Sequence, residues 1–307
     1  MFNATSLTEM RNMLPYQAPP TDDPNIQPQP SELPQIDTDS VPATTDATMQ
    51  QYQQLNIDEF PLSWYGVVVG SRRSGKTTMA EHLIRQAQQS RKHKFTHVWL
   101  ISQTNAGFEP GIPKRFRSRD MNTLEFIAQK QIEVMKYNRK QREKRHMIKQ
   151  KVLVIVDDCA SSSGQSIRNS LALDNAALNG RHLSSRDPIE SNGVSYLVLS
   201  QSLTAISRRQ RLNVDFFLVN SLSSDIETKM ICEENGFFTN TSGGKREGRQ
   251  LFRMLTTSKE WRFICIMCCA AANKTDLHDY VRLVDAQIPK RPRQFFGTAS
   301  DDEGDSD

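Results

Sequence analysis

The sequence predicts an α/β fold in which a mostly parallel central sheet is flanked by helices, with disordered segments at both termini. Three observations point there. Short runs rich in β-branched and aromatic residues alternate with stretches of helical spacing, as in a sheet whose crossovers are helices. Several of these runs are apolar on both faces, which suits strands covered on two sides. A glycine-bracketed loop joins the first run to the first helical stretch, a junction that parallel sheets use to hold phosphate groups.

The expected strands are WYGVVV (64–69), THVWLIS (96–102), VLVIV (152–156), VSYLVLS (194–200), DFFLVN (215–220) and WRFICIMCC (261–269). The helix after the first strand places Met79, Leu83, Ile84 and Ala87 on one face, and a second helix from about 122 repeats the pattern with Leu124, Ile127, Ala128, Ile132 and Met135. No internal repeat is present. Residues 1–58 hold eight of the fourteen prolines and few large apolar side chains, too few to offset the entropy of ordering them. They form an acidic, Pro-rich disordered segment, as a spacer or as a docking tail. Residues 59–293 form the folded domain, and 294–307 a second disordered acidic tail.

Charge divides along the same lines. The formal net charge is +4, yet residues 1–60 carry nine acids against Arg11 alone, and the end DDEGDSD carries five acids. The stretch 61–300 is left with a surplus of seventeen positive charges. With 37% hydrophobic residues in 307, the chain buries a sizeable core, which excludes collagen-like, coiled-coil and disulfide-scaffold classes. Its five cysteines are odd in number and mostly lie in apolar runs, so no disulfides and a reducing compartment are expected. The longest apolar run, FICIMCCAAA, is about half the length of a membrane-spanning helix, and MFNATSLTEM has no basic start before an apolar stretch. The chain therefore reads as soluble, untargeted and without a membrane span.

Gly70-Ser71-Arg72-Arg73-Ser74-Gly75-Lys76-Thr77 matches G-x-x-x-x-G-K-[ST] in full, after a strand and before a helix. The glycines let the backbone curl so that successive N–H groups face phosphate oxygens, and the helix end adds positive potential. Lys76 is placed to reach the β and γ phosphates, Thr77 to ligate Mg²⁺, and Thr78 completes the set that holds ATP. The run Val152–Val156 ends in Asp157-Asp158. Adjacent carboxylates on a buried strand repel unless a cation or solvent relieves them. Asp157 would hold Mg²⁺, usually through its water, and Asp158 would orient or deprotonate the attacking water. A turn or a helix cap is the other use of such a pair. Gln201, just past another apolar strand, is either the group that holds water or senses the γ phosphate, or an ordinary polar strand end.

Taken in order, Gly70–Thr77, Asp157-Asp158, Asn179-Gly180-Arg181-His182, Gln201 and Arg211-Leu212-Asn213-Val214-Asp215 resemble the genome-packaging ATPases of large double-stranded DNA viruses. This is the poxvirus type, a branch of the FtsK/HerA superfamily of P-loop NTPases, and the likeness covers about 65–235. It implies a homo-oligomeric ring that hydrolyses ATP to move double-stranded DNA into a preformed capsid. Capsid or portal protein would be a partner, and the site of action the host cytoplasm, the viral factory or the virion. Many relatives carry Glu where this chain has Asp158. Arg181 is a candidate for a charge reaching a neighbour's γ phosphate, for a DNA contact, or for a helix C-terminal charge. Arg211 is a weaker candidate for the first role, and His182 is expected to pack. Other superfamily translocases or helicases, and a nucleotide-switched scaffold without turnover, share the same residues.

Lys114–Lys151 holds thirteen Lys/Arg against four Asp/Glu, densest at 138–145, and Arg208-Arg209-Gln210-Arg211 forms a second run. These are phosphate-tracking surfaces or solvated helix faces. Asn273-Lys274-Thr275-Asp276 spells the guanine-reading N-K-x-D, but position 160 is alanine where a GTPase needs the D-x-x-G glycine, so GTPase activity is not expected. Cys265 and Cys268 have metal spacing without a second pair and read as buried structural thiols.

Overall fold

A computed structural model describes residues 50–103, 111–141, 146–157, 167–180, 193–222, 224–234, 238, 244–259, 261–268 and 276–286. Asp158, Arg181 and His182 lie outside the described residues. So do Arg142–Arg145 and Asn273–Thr275.

Eight strands form one sheet, in the order β3-β2-β4-β5-β1-β6-β7-β8. They are β1 (Tyr65–Val69), β2 (His97–Ser102), β3 (Arg117–Ser118), β4 (Val152–Asp157), β5 (Val194–Ser200), β6 (Phe216–Val219), β7 (Arg262–Met267) and β8 (Val281–Asp285). From β3 to β6 every pairing is parallel, while β7 runs antiparallel to both β6 and β8. Every residue of β1, β4, β5 and β6 is buried, as the doubly apolar runs predict.

The helices are α1 (Lys76–Gln89), α2 (Thr123–Lys140), α3 (Leu171–Asn179), α4 (Arg208–Arg211), α5 (Asp225–Glu234), α6 (Gly244–Thr257) and α7 (Leu277–Tyr280). On α1 the buried face is Met79, Ala80, Leu83, Ile84 and Ala87, as expected. On α2 the inner face is turned from the expected stripe. Leu124, Ile127, Gln131 and Asn138 are buried, whereas Ala128, Ile132 and Met135 are half-buried. The cause is polar: Gln131 Nε2 donates to Gln150 O (3.2 Å), and the Asn138 amide exchanges bonds with the backbone of Ile148 (2.8 and 2.9 Å). Those amides tie the helix to the strand leading into β4.

The core beneath β1 is aromatic. Phe60 stacks on Phe216 with ring centroids 4.0 Å apart, and Trp64 meets Phe216 at 5.1 Å and Phe95 at 6.0 Å. Such pairs contribute about 1 kcal/mol each beyond their burial. Gly66 makes this possible, since a Cβ there would lie 2.2 Å from Phe216 Cζ.

The N-terminal limit of the folded body falls earlier than composition suggests. Tyr52, Leu55 and Ile57 are buried, Gln54 bridges Leu283, and Leu55 N donates to Leu283 O at 3.0 Å. Residues 53–55 therefore pair with edge strand β8 and Ile57–Glu59 lie against α1, so this stretch belongs to the folded body rather than to the Pro-rich segment. Among the described residues, no helix is long and apolar enough to cross a membrane.

Candidate nucleotide site

The chemistry gathers at the edge of the sheet where the parallel strands end. There β2 ends at Ser102, β4 at Asp157 and β5 at Ser200, paired Ser102↔Asp157, Asp157↔Leu199 and Val69↔Ser200. Out of β1, Gly70 N donates to Ser200 O (3.3 Å) and Asn220 N donates to Val69 O (3.0 Å). The loop 70–75 is thereby hung between the ends of β5 and β6. Gly75 then takes a left-handed φ of 87°, and α1 begins at the next residue.

Lys76 Nζ donates to Gly70 O (2.9 Å) and Ser71 O (2.8 Å), so the ammonium is folded over the loop it closes. Two carbonyls fix it there without neutralising its charge. Gly75 brings no side chain to the amino end of α1, and the first turn has no acid, so neither competes with an anion for its N–H groups. A Cβ on Gly70 would come within 2.4 Å of Ser74 Oγ, which explains glycine at that position. Ser74 is buried, Arg72 and Arg73 are exposed, and Thr77 and Thr78 are half-buried at the helix start.

Asp157 is 9% exposed at the end of β4, two strands from β1. Between them stands β5, and Gln201, exposed, is its next residue. The loop after Gln201 is braced from two sides. Buried Glu227 of α5 accepts from Leu203 N at 2.8 Å and from Ser202 Oγ. Arg211 of α4, 9% exposed, donates Nη1 to Ile206 O at 2.6 Å. Arg211 is thus held by the chain's own carbonyls. Asp215 is likewise structural: its Oδ2 accepts from Tyr65 N and its own N–H donates to Tyr65 O, both at 2.8 Å, pinning β6 to β1.

Asp276 and the Cys265/Cys268 pair both have structural surroundings. Because β7 is antiparallel, Asp276 follows the end of β7 that lies at the opposite edge of the sheet from the phosphate loop, and it caps α7 through His278 N (3.1 Å). It has no access to a base held at that loop. Cys265 is fully buried, and Cys268 is half-buried with its thiol on Ile266 O (3.7 Å). Among the described residues no group of three or more His, Cys, Asp or Glu gathers at one point. The basic runs divide: on α2 Lys130, Lys136, Arg139 and Lys140 are exposed, and on α4 Arg208 and Arg209 are exposed while Gln210 and Arg211 are buried.

Sequence reasoning did not single out Asn220, Glu227 or Trp261. Asn220 carried a signal, a polar residue closing an apolar strand. Glu227 carried none, because its partners come from a distant turn. Trp261 packs on Gly75, and its φ of 57° is rare for a bulky residue.

The residues and their order compare with known proteins as follows. None of the curated proteins matches the sequence. Among solved structures, the genome packaging NTPase B204 from Sulfolobus turreted icosahedral virus 2, in complex with ATP-gammaS, is 13% identical with a TM-score of 0.47, over 73% of this chain and 97% of that one. B204, the DNA-packaging ATPase from Sulfolobus turreted icosahedral virus, is 11% identical with a TM-score of 0.44, over 72% and 96%. The pCW3 conjugation coupling protein TcpA in its monomer form with ATPgS is 10% identical with a TM-score of 0.45, over 73% and 60%. A family model, that of the Poxvirus A32 protein, matches residues 49–266, from the first packed segment through β7. With its phosphate loop, Asp157 strand and Gln201 strand on neighbouring parallel strands of one sheet, the chain is a P-loop NTPase by fold and belongs to the Poxvirus A32 protein family.

Proposed function

We propose that the chain is a Mg²⁺-dependent ATPase that drives double-stranded viral DNA into a preformed capsid, working as a homo-oligomeric ring with a capsid or portal protein as partner. The observation that carries this reading is the Lys76 ammonium poised over the Gly70–Thr77 loop, with a buried carboxylate, Asp157, ending the strand two places away. Membership of the Poxvirus A32 protein family supports it.

In this reading the phosphate chain of ATP lies along the amino end of α1, where N–H groups and Lys76 meet its oxygens. Thr77 and Asp157 would hold Mg²⁺. A hydroxyl and a carboxylate are the hard oxygen donors that this ion takes, and two of them suffice because Mg²⁺ keeps water and phosphate oxygens as further ligands. When bound, it supplies positive charge at the β and γ phosphates. Gln201 and Asp158 would orient the attacking water, and Asp158 would accept its proton. Arg181 of an adjacent subunit is the proposed charge on the γ phosphate. The exposed bases of α2 and α4 would track DNA phosphates without reading sequence.

Turnover measured with and without double-stranded DNA across a salt series tests the proposal. DNA should stimulate hydrolysis at low salt. Lys76→Ala and Asp157→Ala should each lower it by about a hundredfold or more. Unchanged turnover in both variants overturns the ATPase, and a flat response to DNA overturns the motor. Tight ATP binding with negligible turnover in the wild type would identify a nucleotide-switched scaffold instead.

A further inference from the structure

We infer that Trp261 is the nucleoside-binding residue of the phosphate-loop site, laying its indole beside the purine and ribose of the bound nucleotide. The inference rests on the reading of the loop as a nucleotide site and adds the side from which the base is held. The sheet sets the polarity. Asp157 and Gln201, which deal with metal and water at the γ phosphate, stand on β4 and β5, to one side of β1. A triphosphate whose γ end lies on that side has its nucleoside on the other, over β6 and β7.

Trp261 stands there. It immediately precedes β7, and because Val219↔Ile264 pair antiparallel, the start of β7 lies at the same edge as the phosphate loop. The pyrrole side of the indole covers Gly75: a Cβ built on that glycine would sit 3.4 Å from Trp261 Cδ1 and 3.5 Å from Cγ. The residue is half-buried, and its indole lies next to the amino end of α1. Its left-handed backbone is held on both flanks. Ala286 N donates to Trp261 O (3.3 Å), Arg262 N donates to Lys259 O (3.2 Å), and the Arg262 guanidinium and Lys259 ammonium both grip Asp285 (2.8 and 2.9 Å). Four neighbours thus keep a bulky side chain in a conformation it rarely adopts, aimed at the loop. Asn220, which hydrogen-bonds the loop strand at Val69 O, also donates Nδ2 to Arg262 O (2.6 Å), so the indole's strand and the loop are linked through one residue.

Calorimetry with ATPγS and with inorganic tripolyphosphate on the full-length chain separates the outcomes. Trp261→Ala should weaken ATPγS about tenfold or more while leaving tripolyphosphate within about twofold, and Trp261→Phe should recover most of the loss, as stacking of a base on any aromatic face requires. Equal weakening of both ligands, or no change in either, overturns the inference and makes Trp261 a prop for the loop. Wild-type protein that binds neither ligand overturns the nucleotide site itself.

Discussion

His93 is 1% exposed, in the turn between α1 and β2 at the sheet edge remote from the phosphate loop, where the chain is knitted together by polar contacts. Its backbone N–H donates to Ser90 Oγ (3.0 Å), and Lys92 Nζ reaches Asp58 O and Phe60 O (both 2.7 Å). Burial, with the Lys92 and Lys151 ammoniums nearby, pushes the imidazole down to about 4. The unfolded chain binds this proton near the ordinary value of 6.5, so between pH 6.5 and 4 it holds more protons than the folded one. Stability is therefore full above pH 6.5 and falls as pH drops to 4, by about 3 kcal/mol from this residue. Urea unfolding of wild type and His93→Gln at pH 7 and pH 4.5 measures it. The variant should lose less on acidification, and parallel losses would assign the acid sensitivity elsewhere. Asp285 acts lower on the scale: its hydrogen bonds to Arg262 and Lys259 hold it down at about 2, so it stays ionised throughout this window.

At the scale of elements, β8 and the segment that packs on it carry a distinct prediction. Tyr52, Leu55 and Ile57 are each buried, and β8 takes backbone bonds from this segment at Leu283. Burying one such side chain stabilises by about 2 kcal/mol. A chain starting at residue 50 should keep the melting temperature of the whole protein, whereas one starting at 59 should lose roughly 5 °C or more or fail to stay soluble. Equal melting temperatures would refute the packing. The same elements show what was legible in the sequence. Six strands announced themselves as runs of β-branched and aromatic residues, four of them buried along their whole length, and the phosphate loop because its chemistry is contiguous. Strand β8 did not, because it is short and carries the buried Arg282, 7% exposed, whose partner Glu59 (2.8 Å) lies far away in the sequence. An ion pair formed over that distance puts a charged residue on a strand where local sequence offers no reason for it. Helix α6 was missed for a different reason. Gly244 and Gly248 and a run of charges give its first turns the composition of a loop, although Gly248, Phe252 and Leu255 share one face at helical spacing and are buried. In the site, Asp157 and Gln201 were legible as polar ends of apolar strands, but Trp261 depends on an antiparallel turn and a left-handed φ, neither of which has a local signature.

At the scale of the molecule, charge and architecture converge on one layer. Helix α3 packs against α2 and against α4, joining the two basic elements. Asp174 of α3 accepts from Ser207 Oγ (3.0 Å) and Gln210 Nε2 (2.9 Å), fixing α4 in place. Arg211 then ties α4 to the turn after Gln201. Opposite in charge, residues 1–49 carry seven acids against Arg11. If this segment competes with DNA for the basic layer, it does so through charges screened beyond about 10 Å at 0.1 M salt. The deletion that tests it must stop at 49, since Asp58 and Glu59 hold Ser90 and Arg282 in the folded body. Anisotropy with a random-sequence duplex should show the shortened chain binding several-fold tighter than the whole at 50 mM salt, with the two converging at roughly 0.3 M as screening removes the competition. Identical affinities at low salt would show that the acidic segment leaves the basic surface open to DNA.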